Sequence, residues 1–286
     1  MEPRLWHDLT DDPDHYVKSF KIFRARCSEF SVFPGWVDGV LGEAVVGKLT
    51  LDGQEEVRVL GVGSGSGEMD SPVLNMLSKR FPRINKCVVE PNPRFLDQYK
   101  ARAQSEVHEL QGLYYEWRQQ TIQQYEKAGD SAKFHFISAI HSIYYVDESS
   151  LMYLYDRLEP GGIMLVVLRS DKSGHARFWN RLQSFRHRFV YTDAALVRNV
   201  LDSRGIPYTH FHEPQFLDIT KCFDEASEEG SLLVDFLTQT VHFKETAPED
   251  VQRSMMEYLA SSDCSESKSE AILLNIDLDA IVISKP

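Results

Sequence analysis

Val57-Arg-Val-Leu-Gly-Val-Gly-Ser-Gly-Ser-Gly-Glu-Met-Asp70 decides the fold of this 286-residue chain. An apolar run breaks onto Gly63, Gly65 and Gly67, and the acids Glu68 and Asp70 follow at once. Twenty residues after Asp70 a second apolar run, Cys87-Val-Val-Glu90-Pro91, ends on a carboxylate. Bare backbone at a strand-to-helix turn lets a ligand approach closely. An acid at the end of the next strand is placed to receive a ribose diol. The stretch therefore reads as the first half of a nucleotide-type site in an α/β sheet.

Dinucleotides and S-adenosylmethionine share that layout, and the spacing separates them. A dinucleotide fingerprint is G-x-G-x-x-G, with pyrophosphate on the helix N-terminus. Here the glycines alternate, and Glu68 occupies the place of the last fingerprint glycine. Glu68 and Asp70 would set carboxylates against a pyrophosphate in a partly desolvated site, a repulsive pairing. A sulfonium carries the opposite charge and tolerates those acids. The methyl donor is favoured, a nicotinamide oxidoreductase is disfavoured, and a turn that binds nothing is the bland alternative.

Composition narrows the class. The net charge of −12 and the pI near 5.3 argue against a nucleic-acid groove, which needs clustered Lys and Arg. Basic knots such as Arg24 with Arg26, and Arg186-His187-Arg188, are short and dispersed. With 42% hydrophobic residues a substantial core is available. The longest aliphatic run, Ile163–Leu168, is too short for a bilayer, and the N-terminus has no apolar signal core. Cys27, Cys87, Cys222 and Cys264 are scattered, so they read as reduced structural thiols of a cytoplasmic protein. His210-Phe-His212 alone is a weak metal signal, and no metal is expected. The chain is expected to act as a monomer on a small molecule, without a membrane or nucleic-acid partner.

Along the chain, strands and helices alternate. Residues 14–48 have helical periodicity through Tyr16, Phe20 and Phe23. Strands are expected at Val57–Val62, Cys87–Glu90, Val107–Leu110, Phe134–Ile140 and Ile163–Leu168. Helices are expected through Val73 and Leu77, over Pro93–Arg102, Glu148–Arg157 and Asp193–Ser203. Leu158–Gly162 reads as a turn, 207–218 as a sixth strand and 222–262 as acidic helix. Ser261–Glu270 reads as a polar loop, and Ala271–Ile283 as one late strand. This alternation predicts a doubly wound, Rossmann-like class I methyltransferase sheet with a smaller substrate-binding cap. The expected divisions are 1–50, a helical segment lining the substrate site; 51–218, the core; 219–265, substrate-domain helices; and 266–286, the strand returning to the sheet.

The chain resembles the histamine N-methyltransferase family over nearly its full length. The resemblance is carried by His15-Tyr-Val-Lys-Ser-Phe20 with Glu29, the glycine loop into Asp70, and Val88-Val-Glu-Pro91. It continues through Trp117 with Tyr125, Ile143-Tyr-Tyr-Val146, Asp235-Phe-Leu-Thr-Gln-Thr240, Phe243 and Thr246-Ala-Pro248. The resemblance implies S-adenosylmethionine as methyl donor and transfer to an imidazole nitrogen. It places Gly63, Glu90 and Ile140 at donor contacts, with Phe95 and Ile122 where the family has a glutamine and a serine.

On the acceptor side the resemblance implies a pocket of Glu29, Tyr16, Phe20, Tyr144, Tyr145, Trp179 and Phe243. His141 stands for the family's pocket glutamine, His175 for one of two tryptophans, and Ile276, beside Asn275, for an asparagine. Polar contacts discriminate strongly, because an unpaired buried group costs about 1–3 kcal/mol. The altered polar set therefore favours a different imidazole acceptor, a carnosine-like dipeptide whose carboxylate meets His175 or Arg186; histamine itself is the alternative. A non-catalytic protein that only binds the donor is a third reading. Glu29 is the carboxylate expected to support the cationic transition state. His141 is expected to orient the second ring nitrogen or relay its proton.

Overall fold

The computed structural model describes residues 7–51, 56–106, 112–144, 146–185 and 192–286. The chain forms two compact units, one of Met1–Phe30, Arg169–Tyr191 and Glu213–Leu278, the other of Ser31–Leu168, Thr192–His212 and Asp279–Pro286.

The second unit holds the large sheet. Its strands are β1 (Glu56–Val62), β2 (Arg83–Val89), β3 (Leu113–Arg118), β4 (Phe134–Ile140), β5 (Leu158–Arg169), β6 (Tyr208–Glu213) and, late in the chain, β10 (Leu278–Ser284). Their spatial order is β3-β2-β1-β4-β5-β10-β6, with β1 parallel to both β2 and β4. Every residue of β4 is buried, as expected for a central strand covered on both faces. The switch point lies between β1 and β4, where the strand order reverses. Ligands of open α/β sheets bind at the carboxyl ends of such a pair.

Helices of this unit follow their strands: α4 (Asp70–Ser78), α5 (Pro93–Glu106), α6 (Ile122–Lys127), α7 (Glu148–Asp156) and α9 (Ala194–Ser203). Their starts are fixed by side-chain caps. Thr121 and Gln124 form a capping box on α6, and Asp147 and Asp193 accept from Ser150 and Leu196 amides. Leu60, Ile137, Leu154, Met164, Leu201 and Ile281 belong to the core beneath them.

The first unit begins with α1 (Pro13–Arg26), capped by the Asp12 carboxylate, and includes the start of α2 (Glu29–Trp36). It adds α8 (Gly174–Gln183), α10 (Glu228–Thr238), α11 (Phe243–Thr246) and α12 (Glu249–Ala260). A small antiparallel sheet completes it, in the order β7 (Phe216–Asp218), β9 (Ala271–Asn275), β8 (Ser265–Lys268). The short α3 (Gly42–Val46) lies in the second unit. Among the described residues no helix is long and apolar enough to cross a membrane.

Five expected elements differ. The sixth strand, expected over 207–218, is two, β6 in the large sheet and β7 in the small one. The late strand is two: β9 joins the small sheet and β10 the large one. Between them Asn275 Oδ1 accepts from the Asp277 amide at 3.2 Å, a local turn that ends the first pairing. Ser265–Lys268 pairs as an edge strand although it reads as polar loop. β5 starts at Leu158, running through Pro160 and the two glycines, with a register shift against β4. The third strand is Leu113–Arg118, and the expected span 107–110 lies outside the described residues.

Candidate active site

In the second unit the turn after β1 is tight. Gly63, Gly65 and Gly67 take φ of 60°, 56° and 80°, values that side chains rarely adopt. A side chain at Gly63 would overlap Ser142, and one at Gly67 the ring of Tyr99. The turn is therefore flush against the loop after β4 and against α5.

Glu90 stands just past β2 and is buried. One carboxylate oxygen accepts from the Gly65 amide at 2.8 Å and the other from the Asn92 amide at 2.8 Å. Burial raises its pKa above the ordinary carboxylate value, and the two amide bonds offset part of that rise. A carboxylate offers about four acceptor positions, so capacity remains for both hydroxyls of a diol. Ile140 at the end of β4, Phe95 in α5 and Ile122 in α6 are buried apolar groups. These residues fit a nucleoside: an acid for the ribose and apolar surface for the base.

Asp70 does not play the part its sequence position suggested. Its carboxylate lies 2.6 Å from Lys86 Nζ, with both side chains buried, and accepts from the Tyr99 hydroxyl at 3.1 Å. Glu68 lies 3.3 Å from Arg102. Both acids are thus charge-compensated, and the repulsion argument against a pyrophosphate is weaker than the sequence implied.

His141 follows β4 with φ of 54°, a left-handed conformation for a residue with a side chain. Its amide donates to the Val167 carbonyl at 2.8 Å, and Nδ1 lies 2.6 Å from the Tyr144 hydroxyl. The two rings stack with centroids 6.0 Å apart. Strained backbone of this kind concentrates at functional sites. Tyr145 lies outside the described residues.

The first unit holds the other residues expected on the acceptor side. Glu29 is fully buried, and Arg169 Nη2 sits 2.9 Å from its carboxylate. Cys27 Sγ lies 3.8 Å from the same carboxylate, and burial, reinforced by Glu29, pushes that thiol up to about 12. Tyr16 and Phe20, half-buried on α1, pack edge-on and tilted against Phe236 at 5.8 and 5.7 Å. Trp179 is buried, its ring N–H donates to the Leu237 carbonyl, and its ring packs on His175 at 4.6 Å. Phe243 is fully buried at the start of α11.

Asp235 braces several of these elements. It accepts from His15 Nε2 at 2.8 Å and from the His242 and Phe243 amides at 3.0 and 2.8 Å. Desolvation raises its pKa, partly countered by those donors. His15, Asp235 and His242 have ligand-type atoms within 4.8 Å of one another. The hydrogen bonds account for this closeness: one carboxylate ties α1 to α10 and α11.

No family model matches the chain. It is 32% identical over 290 residues to a histamine N-methyltransferase of Danio rerio, covering 96% of this chain and 97% of the relative. The chain belongs to the histamine N-methyltransferase family. Carnosine N-methyltransferase 2 of Gallus gallus is 30% identical over 283 residues, covering 94% of this chain and 86% of that one. Among solved structures, the plantazolicin methyltransferase BpumL in complex with SAH superposes with a TM-score of 0.50 at 12% identity, covering 97% of this chain and 93% of that one. The chain is an S-adenosylmethionine-dependent methyltransferase with the Rossmann-like sheet expected from its sequence.

Membership in the histamine N-methyltransferase family gives meaning to what the sequence missed. The sequence places Glu29 in the acceptor pocket only through the family resemblance, and no local pattern announces its partner Arg169, 140 residues away. Arg186, one of the two groups expected to meet an acceptor carboxylate, lies outside the described residues. Asn275 is engaged by Gly174 and Asp277, and Ile276 is fully buried. The Asp235 brace was legible only as part of the string that carried the resemblance.

Proposed function

We propose that this chain transfers the methyl group of S-adenosylmethionine to a ring nitrogen of a small histidine-derived imidazole. The observation that carries this reading is the full-length similarity to a histamine N-methyltransferase, which spans both units. Histamine is the acceptor that the relatives' names favour. Carnosine is the second reading, supported by one relative and by the altered polar set at His141, His175 and Ile276.

The donor supplies an electrophilic methyl on a sulfonium. An imidazole with a pKa of about 6.5 is mostly neutral at pH 7 and above, so its ring nitrogen attacks without a strong base. The carbon–sulfur bond breaks as the carbon–nitrogen bond forms, the electron pair coming from the ring and leaving on sulfur. The protein's share is alignment and the exclusion of water. Gly63, Glu90, Phe95, Ile122 and Ile140 hold the donor. Tyr16, Phe20, Trp179 and Phe243 are the aromatic groups assigned to the flat acceptor, and aromatic faces favour a developing cation by about 0.5–2 kcal/mol each. Glu29, paired with Arg169, holds the acceptor's ammonium. His141, its ring fixed by the Tyr144 hydroxyl, receives the proton that the methylated ring releases.

The test is a labelled-donor assay with imidazole acceptors and with matched amines that lack the ring, such as tyramine. Label is expected in the imidazoles alone. Equal labelling of ring-free amines would refute the reading.

A further inference from the structure

We infer that Arg169 is a specificity-determining residue that directs the enzyme toward imidazole acceptors bearing a carboxylate. The inference rests on the imidazole methylation proposed above and deepens it. Arg169 is buried, follows Leu168 at the carboxyl end of β5, and touches two of the positions assigned to acceptor recognition. Nη2 lies 2.9 Å from the Glu29 carboxylate, and Nη1 donates to the Ile276 carbonyl at 2.8 Å. Its guanidinium carbon is 5.5 Å from the centre of the Phe23 ring. One cation thus joins the acid of the acceptor pocket to the segment where the family has a polar asparagine.

The charge balance carries the argument. A buried carboxylate without a counter-ion attracts the ammonium of an amine such as histamine. Here Arg169 has neutralised Glu29, so a lone ammonium would leave one uncompensated positive charge in a low-dielectric site. A zwitterion adds no net charge. Its ammonium joins Glu29 and its carboxylate joins Arg169, whose planar guanidinium matches carboxylate geometry. Arg169 thereby takes the role that the sequence reading gave to His175 or Arg186.

The experiment uses two acceptor pairs that differ only in the carboxylate: histidine against histamine, and carnosine against decarboxylated carnosine. kcat/KM is measured for the native enzyme, Arg169→Met, Arg169→Lys and the double variant Glu29→Gln/Arg169→Met. The double variant removes both charges and remains informative where the single change leaves Glu29 unpaired and the chain unfolded. Calorimetric binding of S-adenosylhomocysteine checks that each variant is folded. The native enzyme is expected to favour the acid of each pair by about tenfold or more. In the double variant the pairs are expected to converge to within about threefold. A native preference for the decarboxylated members, or an acid preference that survives in the folded Arg169→Met and double variants, would overturn the inference. Turnover of none of the four, with S-adenosylhomocysteine still bound, would overturn the imidazole reading and this inference with it.

Discussion

The amide of Gly65 donates to the Glu90 carboxylate across 2.8 Å, joining the turn after β1 to the end of β2. A glycine conformation and a buried acid are thereby held as one unit. The acid's position follows from the fold, and the proposed diol-bearing ligand would account for its cost in desolvation.

Glu90→Ala is expected to weaken S-adenosylhomocysteine binding by more than about tenfold, or about 1.4 kcal/mol. Acidification should mimic the change. Burial raises the folded-state pKa of Glu90 above the ordinary value of 4.5. The ionised form therefore costs the fold stability above that raised pKa, and the cost is lifted as pH falls through it. Ligand affinity runs the other way, being present above the folded pKa and lost below it. Titration calorimetry from pH 8 downward should find the decline beginning above the range of an exposed glutamate. Affinity that stays flat to pH 4, or is unchanged in Glu90→Ala, would remove Glu90 from the donor site.

Asp70 and Lys86 form a buried pair 2.6 Å apart, and breaking such a pair strands a charge. Lys86→Met is expected to lower unfolding free energy by about 3–5 kcal/mol in urea denaturation. The double change Asp70→Asn/Lys86→Met should recover much of that loss, since no charge is then stranded. A single-variant loss under about 1 kcal/mol would mean that the pair is better solvated than its burial indicates.

His141 separates strain from function. His141→Gly relieves the left-handed backbone and is expected to hold or raise stability by about 0.5–1 kcal/mol. The same change should reduce kcat/KM by about tenfold. Tyr144→Phe keeps the stacked ring and loses the hydroxyl 2.6 Å from His141 Nδ1, so kcat/KM is expected to fall in the same direction as in His141→Gly. His141→Gln restores the family residue and should move acceptor preference toward histamine. Unchanged kinetics in all three would make His141 a structural strand end.

Each of the four cysteines is buried and its thiol is pushed up by desolvation, to about 12 for Cys27 and Cys222 and about 11 for Cys87 and Cys264. A pKa of about 11 leaves on the order of one thiolate per thousand at pH 8. Iodoacetamide at pH 8 should leave the native protein unmodified and label all four positions in denaturant. Rapid native labelling of Cys27 would show that the surroundings of Glu29 open to solvent.

Much of the sheet was legible because central parallel strands are continuous apolar runs and their helices are periodic. The glycine turn and Glu90 were legible for the same reason: their chemistry is local in sequence. Two edge strands were not. Leu113–Arg118 mixes exposed Tyr114 and Glu116 with aromatics, and Ser265–Lys268 is mostly exposed, so neither shows the apolar signal of a core strand. Charges were misread where their partners are distant. Asp70 passed for a ligand-side acid because Lys86 sits on the next strand, and the reading of Glu29 as a pocket carboxylate carries no sign of Arg169, which β5 supplies. A single chain reveals the charge but not the counter-ion that folding brings to it.

The most direct measurement is the site of methylation. Carbon-13-labelled S-adenosylmethionine would be incubated with the enzyme and, separately, with histamine and carnosine, and the products analysed by NMR. The account predicts the labelled methyl on an imidazole ring nitrogen of at least one of them. A methyl found on the side-chain amine, or no transfer to either compound while S-adenosylhomocysteine binds, would contradict it.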